Sequence, residues 1–175
     1  MFPPDLLVRA AELIGRYRDL KLMVATAESC TGGLIAALLT EIPGSSDVVE
    51  RGFVVYSNAA KEELLGVPAA TLAGHGAVSE ETARAMAEGA LKASRADVAV
   101  SVTGIAGPDG GTAAKPVGLV HFACARRGLP TLTREERFGD IGREAVRLAS
   151  VGVGLELFAA AGGFQPGSEI AARRP

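Results

Sequence analysis

Leu22-Met23-Val24-Ala25-Thr26-Ala27-Glu28-Ser29-Cys30-Thr31-Gly32-Gly33-Leu34 reads as a strand that runs through a loop into a helix, and this passage decides the fold. Leu22 to Ala25 is a short apolar run, as expected of a buried strand. Thr26 to Gly33 follows as a loop of small and hydroxyl residues, and Leu34 to Thr40 has helical character until Pro43-Gly44-Ser45-Ser46 ends it. A strand feeding a helix through a glycine-bearing loop is the building unit of layered α/β domains.

Elements of the same kind lie on both sides of this passage. Upstream, Pro3-Pro4-Asp5 starts a helix in which Leu6, Ala10, Leu13, Ile14 and Tyr17 recur at helical spacing. Downstream, Val48 to Tyr56 reads as a strand, and Asn58 as the N-cap of a short helix carrying Lys61, Leu64 and Leu65 and closed by Gly66. Ser79-Glu80-Glu81 opens the clearest helix, with Ala83, Met86, Ala87, Ala90 and Leu91 on one face. Val98, Val100 and Val102 alternate with Ala99, Ser101 and Thr103 along a further strand. Val117 to Ala125 and Leu132 to Phe138 are two more strands, and Arg143 to Phe158 is a last helix, weakened by Gly152 and Gly154. The order predicts a single α/β (α+β) domain, a three-layer α/β/α sandwich with a mixed sheet covered by helices, over residues 1–161. Residues 162–175 shift to Gly, Pro, Ser and Arg and read as a flexible tail.

Composition narrows the function. The chain has 175 residues, 48% of them hydrophobic and 22% charged, as in ordinary globular proteins, with a formal net charge of −2 and no charged block. A nucleic-acid groove or a membrane surface is therefore not expected as a partner. Aromatics are only 5%, too few for a stacking track on single strands. Cys30 and Cys124 cannot build a disulfide scaffold or a zinc site. Nothing at the N-terminus reads as a signal peptide and no uninterrupted apolar run reaches about 18 residues, so a cytoplasmic location is expected. Glycine is in excess, at 22 of 175 residues against a usual share of roughly 7%.

Glycines gather with hydroxyl residues in three loops: Glu28 to Gly33, Gly44 to Ser46, and Thr103 to Thr112. The first and third follow strands, where α/β sheets bind ligands and where backbone N–H groups can approach a phosphate or an oxyanion. The same glycines also suit plain tight turns. The dinucleotide-binding, P-loop and hydrolase-elbow spacings are all missing. His75, in a Gly-His-Gly turn, and His121, in an apolar strand, read as structural. Lysine remains as a possible base, because a desolvated lysine loses its proton and can activate a serine. Lys61 stands near the end of an apolar strand, although Glu62 and Glu63 beside it equally suit a solvated helix residue.

Three long stretches go further than spacing. Thr26-Ala27-Glu28-Ser29-Cys30-Thr31-Gly32-Gly33, Gly52-Phe53-Val54-Val55-Tyr56-Ser57-Asn58 with Lys61, and Thr103-Gly104-Ile105-Ala106-Gly107-Pro108-Asp109-Gly110-Gly111 with Lys115-Pro116-Val117-Gly118 closely resemble the CinA carboxy-terminal domain family. The likeness covers about residues 5 to 160. Stand-alone members of that family are nicotinamide-nucleotide amidases, so the resemblance implies hydrolysis of the carboxamide of nicotinamide mononucleotide to nicotinate mononucleotide and ammonia in pyridine-nucleotide salvage. It also implies a Ser/Lys mechanism without metal or cofactor, with Ser29 as nucleophile, Lys61 as its base and Tyr56 as a proton relay or orienting group. Ser46 belongs to a further shared motif and is a fourth catalytic candidate. The implied substrate contacts are Thr31, Gly32, Gly33, Thr103, Gly104, Ala106, Gly107 and Arg143, with Arg147 the alternative to Arg143 for phosphate. Many members read Gly-Asp-Arg where this chain reads Gly139-Asp140-Ile141-Gly142-Arg143. Cys30 reads as a small buried residue, since no neighbour in sequence would ionise its thiol. A homodimer is the expected assembly. Two other readings stay open: a nucleotide-binding module without turnover, and a hydrolase of another small amide.

Overall fold

Leu6, Ala10, Leu13, Ile14 and Tyr17, three and four residues apart, are all buried on one face of helix α1 (Pro4–Leu20) in the computed structural model, which describes residues 2–164. Each of these leucine and isoleucine side chains contributes on the order of 1.5–3 kcal/mol of apolar burial. The order then runs β1 (Val24–Glu28), α2 (Leu34–Thr40), a 3-10 turn (Ser45–Asp47), β2 (Val49–Val54), α3 (Asn58–Leu65), α4 (Ala69–His75), α5 (Glu80–Lys92), β3 (Val98–Gly104), β4 (Leu119–Arg126), β5 (Leu132–Arg137) and α6 (Arg143–Gly162).

The five strands form one sheet in the order β2-β1-β3-β4-β5. The pairs β2–β1 and β1–β3 are parallel, while β3–β4 and β4–β5 are antiparallel. Two cores fill its two sides. One joins α1, α2 and α6 to the sheet through Leu13, Ile35, Val100 and Phe158; the other joins α3, α4 and α5 to it through Leu65, Leu72, Met86 and Ala99. The chain is thus a mixed-sheet α/β/α sandwich. The step from β1 to β2 goes one way along the sheet and the step from β2 to β3 goes back past β1. Right-handed connections in opposite directions put their helices on opposite faces. Such a reversal opens a crevice beyond the carboxyl ends of β1 and β3.

Several local expectations need correction. β1 continues through Thr26 and Glu28, which are buried despite their polarity, so part of the expected loop is strand. Ser57, not Asn58, caps α3, with its Oγ accepting the Ala60 N–H at 3.0 Å. Helix α4 was not anticipated: it buries only Leu72, and His75 is its last residue and not part of a turn. Helix α6 passes through Gly152 and Gly154 and runs beyond Phe158 to Gly162. A Cβ on Gly154 would lie 2.8 Å from Ile35 Cδ1, so the glycine allows α6 its close approach to α2. Tyr17 donates to the Phe158 carbonyl at 2.6 Å, and Phe164 packs edge-on against Tyr17 at 6.1 Å. Residues 162–164 thus pack on the domain, and residues 165–175 of the expected tail lie outside the described residues. Although α6 is long and apolar enough to cross a membrane, with mean hydropathy 1.4, 61% of that window is buried between α1 and the sheet.

Candidate active site

The end of β1 is held on both sides by the sheet. Val55 N–H donates to the Glu28 carbonyl at 2.8 Å, and Ser29 N–H donates to the Val102 carbonyl at 3.0 Å. Consecutive strand residues face opposite ways, and the two side chains here reach different layers. The Glu28 carboxylate turns toward α2. Its Oε2 accepts Thr31 Oγ1 at 2.7 Å and the Gly33 and Ile35 N–H groups at 3.0 Å, and its Oε1 accepts the Ala36 N–H at 2.9 Å. These include N–H groups that a helix start leaves without partners. The turn depends on Gly33, whose φ of +95° lies in the region that favours glycine.

Ser29 turns instead toward α3, where Lys61 meets it. Lys61 is 1% exposed, and its Nζ donates to Ser29 Oγ at 3.1 Å, to the Val55 carbonyl at 2.9 Å and to the Tyr56 carbonyl at 3.0 Å. An ammonium has three N–H donors, and all three are matched here. Once deprotonated, the amine keeps two N–H groups for the carbonyls and can turn its lone pair to the Ser29 hydroxyl. Burial holds the Lys61 pKa below the ordinary lysine value, which favours the neutral form. Cys30 is the reverse case: burial pushes its thiol up to about 12, leaving it without thiolate at neutral pH.

Ser29 and Lys61 line a pocket of about 260 Å³. Its walls include Tyr56, Thr103, Gly104, Ala106, Gly107 and Arg143, all singled out in the sequence. Tyr56 is 64% exposed, while its carbonyl belongs to the lysine cradle. Thr103 donates to the Ala77 carbonyl at 2.7 Å and so braces the segment before α5 against the pocket. Gly104 allows β3 and β4 to close up, since a Cβ there would stand 2.7 Å from Val120 Cγ2. The Ala106 and Gly107 N–H groups donate to no partner among the described residues. Arg143, on the first turn of α6, donates from Nη1 to the Gly107 carbonyl at 3.0 Å.

The remaining candidates lie elsewhere. Thr31, Gly32 and Gly33 are off the pocket lining: the Thr31 hydroxyl and Gly33 N–H serve Glu28, and the Gly32 N–H closes a turn on the Ser29 carbonyl at 3.1 Å. Ser46 sits in the turn that leads into β2, whose first residue pairs with Val24 at the start of β1. Ser29 follows the last residue of β1, so the length of the strand separates the two serines. Arg147 donates to the Cys30 and Thr31 carbonyls at 3.2 and 2.9 Å and is absent from the pocket lining. His75 pairs with Glu81 and His121 with Glu135, both outside the pocket lining.

Other contributors were missed by sequence reasoning. Asp109 brings a carboxylate to the pocket wall. Lys115 donates to the His75 and Val78 carbonyls at 2.6 and 2.7 Å, tying the glycine-rich loop to the opposite rim. Both lie in a motif quoted above, so their presence was legible and their placement was not. Among the described residues, no three His, Cys, Asp or Glu side chains converge as metal ligands.

Comparison with known proteins adds a family to this geometry. The model of the CinA C-terminal domain matches residues 8–161. The nicotinamide-nucleotide amidohydrolase PncC of Escherichia coli K12 is 57% identical over 134 residues, which are 76% of this chain and 80% of that one. A competence-damage inducible protein of Caldicellulosiruptor bescii is 59% identical over 115 residues, 66% of this chain. It is far longer, and the match spans only 28% of it. The crystal structure of the competence/damage inducible protein CihA from Agrobacterium tumefaciens superposes with a TM-score of 0.90 at 57% identity, covering 91% of this chain and 97% of that one.

Proposed function

The chain belongs to the CinA C-terminal domain family, and from that membership we propose that it hydrolyses the carboxamide of nicotinamide mononucleotide, releasing ammonia and nicotinate mononucleotide, by a Ser29–Lys61 mechanism. The observation that carries this reading is the 3.1 Å contact between Lys61 Nζ and Ser29 Oγ at the wall of a pocket. A buried lysine directed at a serine has no evident structural purpose that a hydrophobic residue would not serve with less desolvation.

Neutral Lys61 takes the Ser29 proton as Oγ attacks the carboxamide carbon. The tetrahedral oxyanion is met by backbone donors, for which the Ala106 and Gly107 N–H groups are the free candidates. Collapse breaks the C–N bond, with the Lys61 proton leaving on ammonia, and Ser29 holds the acyl group as an ester. Water activated by Lys61 then attacks the ester and frees the carboxylate.

The rest of the pocket matches the two charges of the substrate. Arg143 uses one of its five guanidinium N–H donors on Gly107, and it stands at the positive end of the 20-residue helix α6. That is a suitable place for the phosphate. Asp109, on the same lining, complements the positively charged pyridinium ring. The proposal extends to a cytoplasmic location and a role in pyridine-nucleotide salvage, and to a homodimer, for which the edge strand β2 with Val54 53% exposed offers a surface.

The test is ammonia release from nicotinamide mononucleotide, nicotinamide and glutamine by the purified protein, with chromatography of the nucleotide product. Turnover of the mononucleotide, abolished in Ser29→Ala and Lys61→Ala, is expected. Tight binding without ammonia would favour a non-catalytic module, and preference for another amide would reassign the substrate.

A further inference from the structure

Glu28 precedes the nucleophile, is 0% exposed, and has no part in the hydrolysis scheme above. A buried carboxylate is costly unless donors match its oxygens. Four do, and they come from both the turn and the first residues of α2: Thr31 Oγ1 and the N–H groups of Gly33, Ile35 and Ala36, at 2.7–3.0 Å. The same turn is gripped from α6. Arg147 takes the Cys30 and Thr31 carbonyls through Nε and Nη2. Thus the carboxylate collects the donors of the 31–36 segment while the guanidinium collects acceptors of the 30–31 segment.

We propose that Glu28 is a positioning residue for the hydrolysis, its carboxylate seated on the start of α2 and opposed by Arg147 so that the 29–33 turn presents Ser29 Oγ to Lys61 Nζ. The inference rests on reading Ser29 as the nucleophile. The Ser29 hydroxyl sits one rotatable bond from the backbone, and its side-chain partner is Lys61 itself. Its placement therefore follows the backbone around it: the sheet holds the peptide before it through Val55 and Val102, and the Glu28 carboxylate and Arg147 hold the turn after it. A displacement near 1 Å at a reacting group costs on the order of a hundredfold in rate. Glutamine in place of Glu28 keeps the shape but turns one oxygen into a donor. At the Oε2 position the new amide meets three donors, and at Oε1 it meets the Ala36 N–H. Either orientation sets N–H against N–H and loosens the turn.

The test uses Glu28→Gln and Thr31→Val, the second removing a single donor while leaving the carboxylate in place. Steady-state kinetics on nicotinamide mononucleotide are measured well below each variant's melting temperature, alongside the rate at which a sulfonyl fluoride labels Ser29, read by mass spectrometry. In Glu28→Gln, kcat should fall roughly thirty- to a hundredfold with KM within about twofold, and labelling should slow in parallel. Thr31→Val should show a smaller fall of the same kind. Unchanged kcat and labelling in folded Glu28→Gln would overturn the proposal, as would an effect of Thr31→Val confined to KM. If Glu28→Gln does not fold, Thr31→Val decides alone by the same criteria. If the wild-type protein releases no ammonia from the mononucleotide, the proposed function fails, while the labelling rates still decide the role of Glu28.

Discussion

Arg143 and Arg147 stand one helical turn apart on α6, yet their guanidinium groups serve different neighbours. Arg147 is engaged with the carbonyls of the turn behind Ser29, and Arg143 reaches the pocket while bonding the Gly107 carbonyl. Two arginines with similar sequence surroundings thus divide into one that braces the backbone and one that faces a ligand.

Arg143→Ala should raise KM for nicotinamide mononucleotide about ten- to a hundredfold with kcat largely kept. This corresponds to losing one charge-assisted contact of about 1.5–3 kcal/mol. The same variant should leave KM for the riboside, which lacks phosphate, close to that of the wild type. An unchanged KM for the mononucleotide would remove Arg143 from the phosphate end.

The pH profile should follow Lys61. The neutral amine is the active form, so kcat/KM should rise with pH along a single limb. Because burial lowers the pKa of this lysine, the limb should lie below the ordinary value of 10.5. Lys61→Arg should be inactive at every pH, since a guanidinium keeps its proton. A limb centred at or above 10.5, or turnover by Lys61→Arg, would contradict the assignment of the base.

Asp109→Asn separates recognition of the ring from recognition of the phosphate. KM for the cationic mononucleotide should rise several-fold, the scale of one partly solvated charge interaction. KM for the reduced, neutral-ring dihydropyridine mononucleotide should stay constant. Equal effects on both would place Asp109 outside ring recognition.

Gly89→Ala sets helix propensity against packing. Alanine in the middle of α5 would add about 0.8–1.0 kcal/mol of helix stability. A Cβ at Gly89, however, would lie 2.1 Å from the Leu65 carbonyl oxygen, a backbone atom at the end of α3. Forcing the helices apart costs about 1–3 kcal/mol or more, so the contact should win and Tm should fall. Because α3 also carries Lys61, kcat should decrease as well. A higher Tm by calorimetry with unchanged kcat would refute this.

Periodic apolar residues carried the fold in the sequence. The α1 and α5 faces correspond to buried sides, whereas β3, whose valines alternate with Ala99, Ser101 and Thr103, is buried on both faces because helices cover the sheet on each side. Helix α4 escaped because one buried leucine among Pro68, Gly74 and Gly76 makes no periodic signal. Thr26 and Glu28 read as loop because polar residues are rarely buried; the donors that permit it for Glu28 come from residues 31–36, whereas Thr26 Oγ1 is buried with no hydrogen-bond partner among the described residues. Lys61 was ambiguous for the same kind of reason: Glu62 and Glu63 are its neighbours in sequence, but Val55, Tyr56 and Ser29 are its neighbours in space. Family motifs brought those residues to notice; topology alone put Ser46 at the far end of β1.

Glu28 and Ser29 are adjacent in the chain yet work on opposite layers of the sandwich, one anchoring α2 and the other meeting α3. A strand alternates with a period of two, so its sides can be exchanged by a shift of one residue. A single residue inserted between Glu28 and Ser29 would send the serine toward α2, where no lysine waits, although every functional group were still encoded. The length of β1, counted to the residue, is therefore as much a part of this active site as the hydroxyl and the amine.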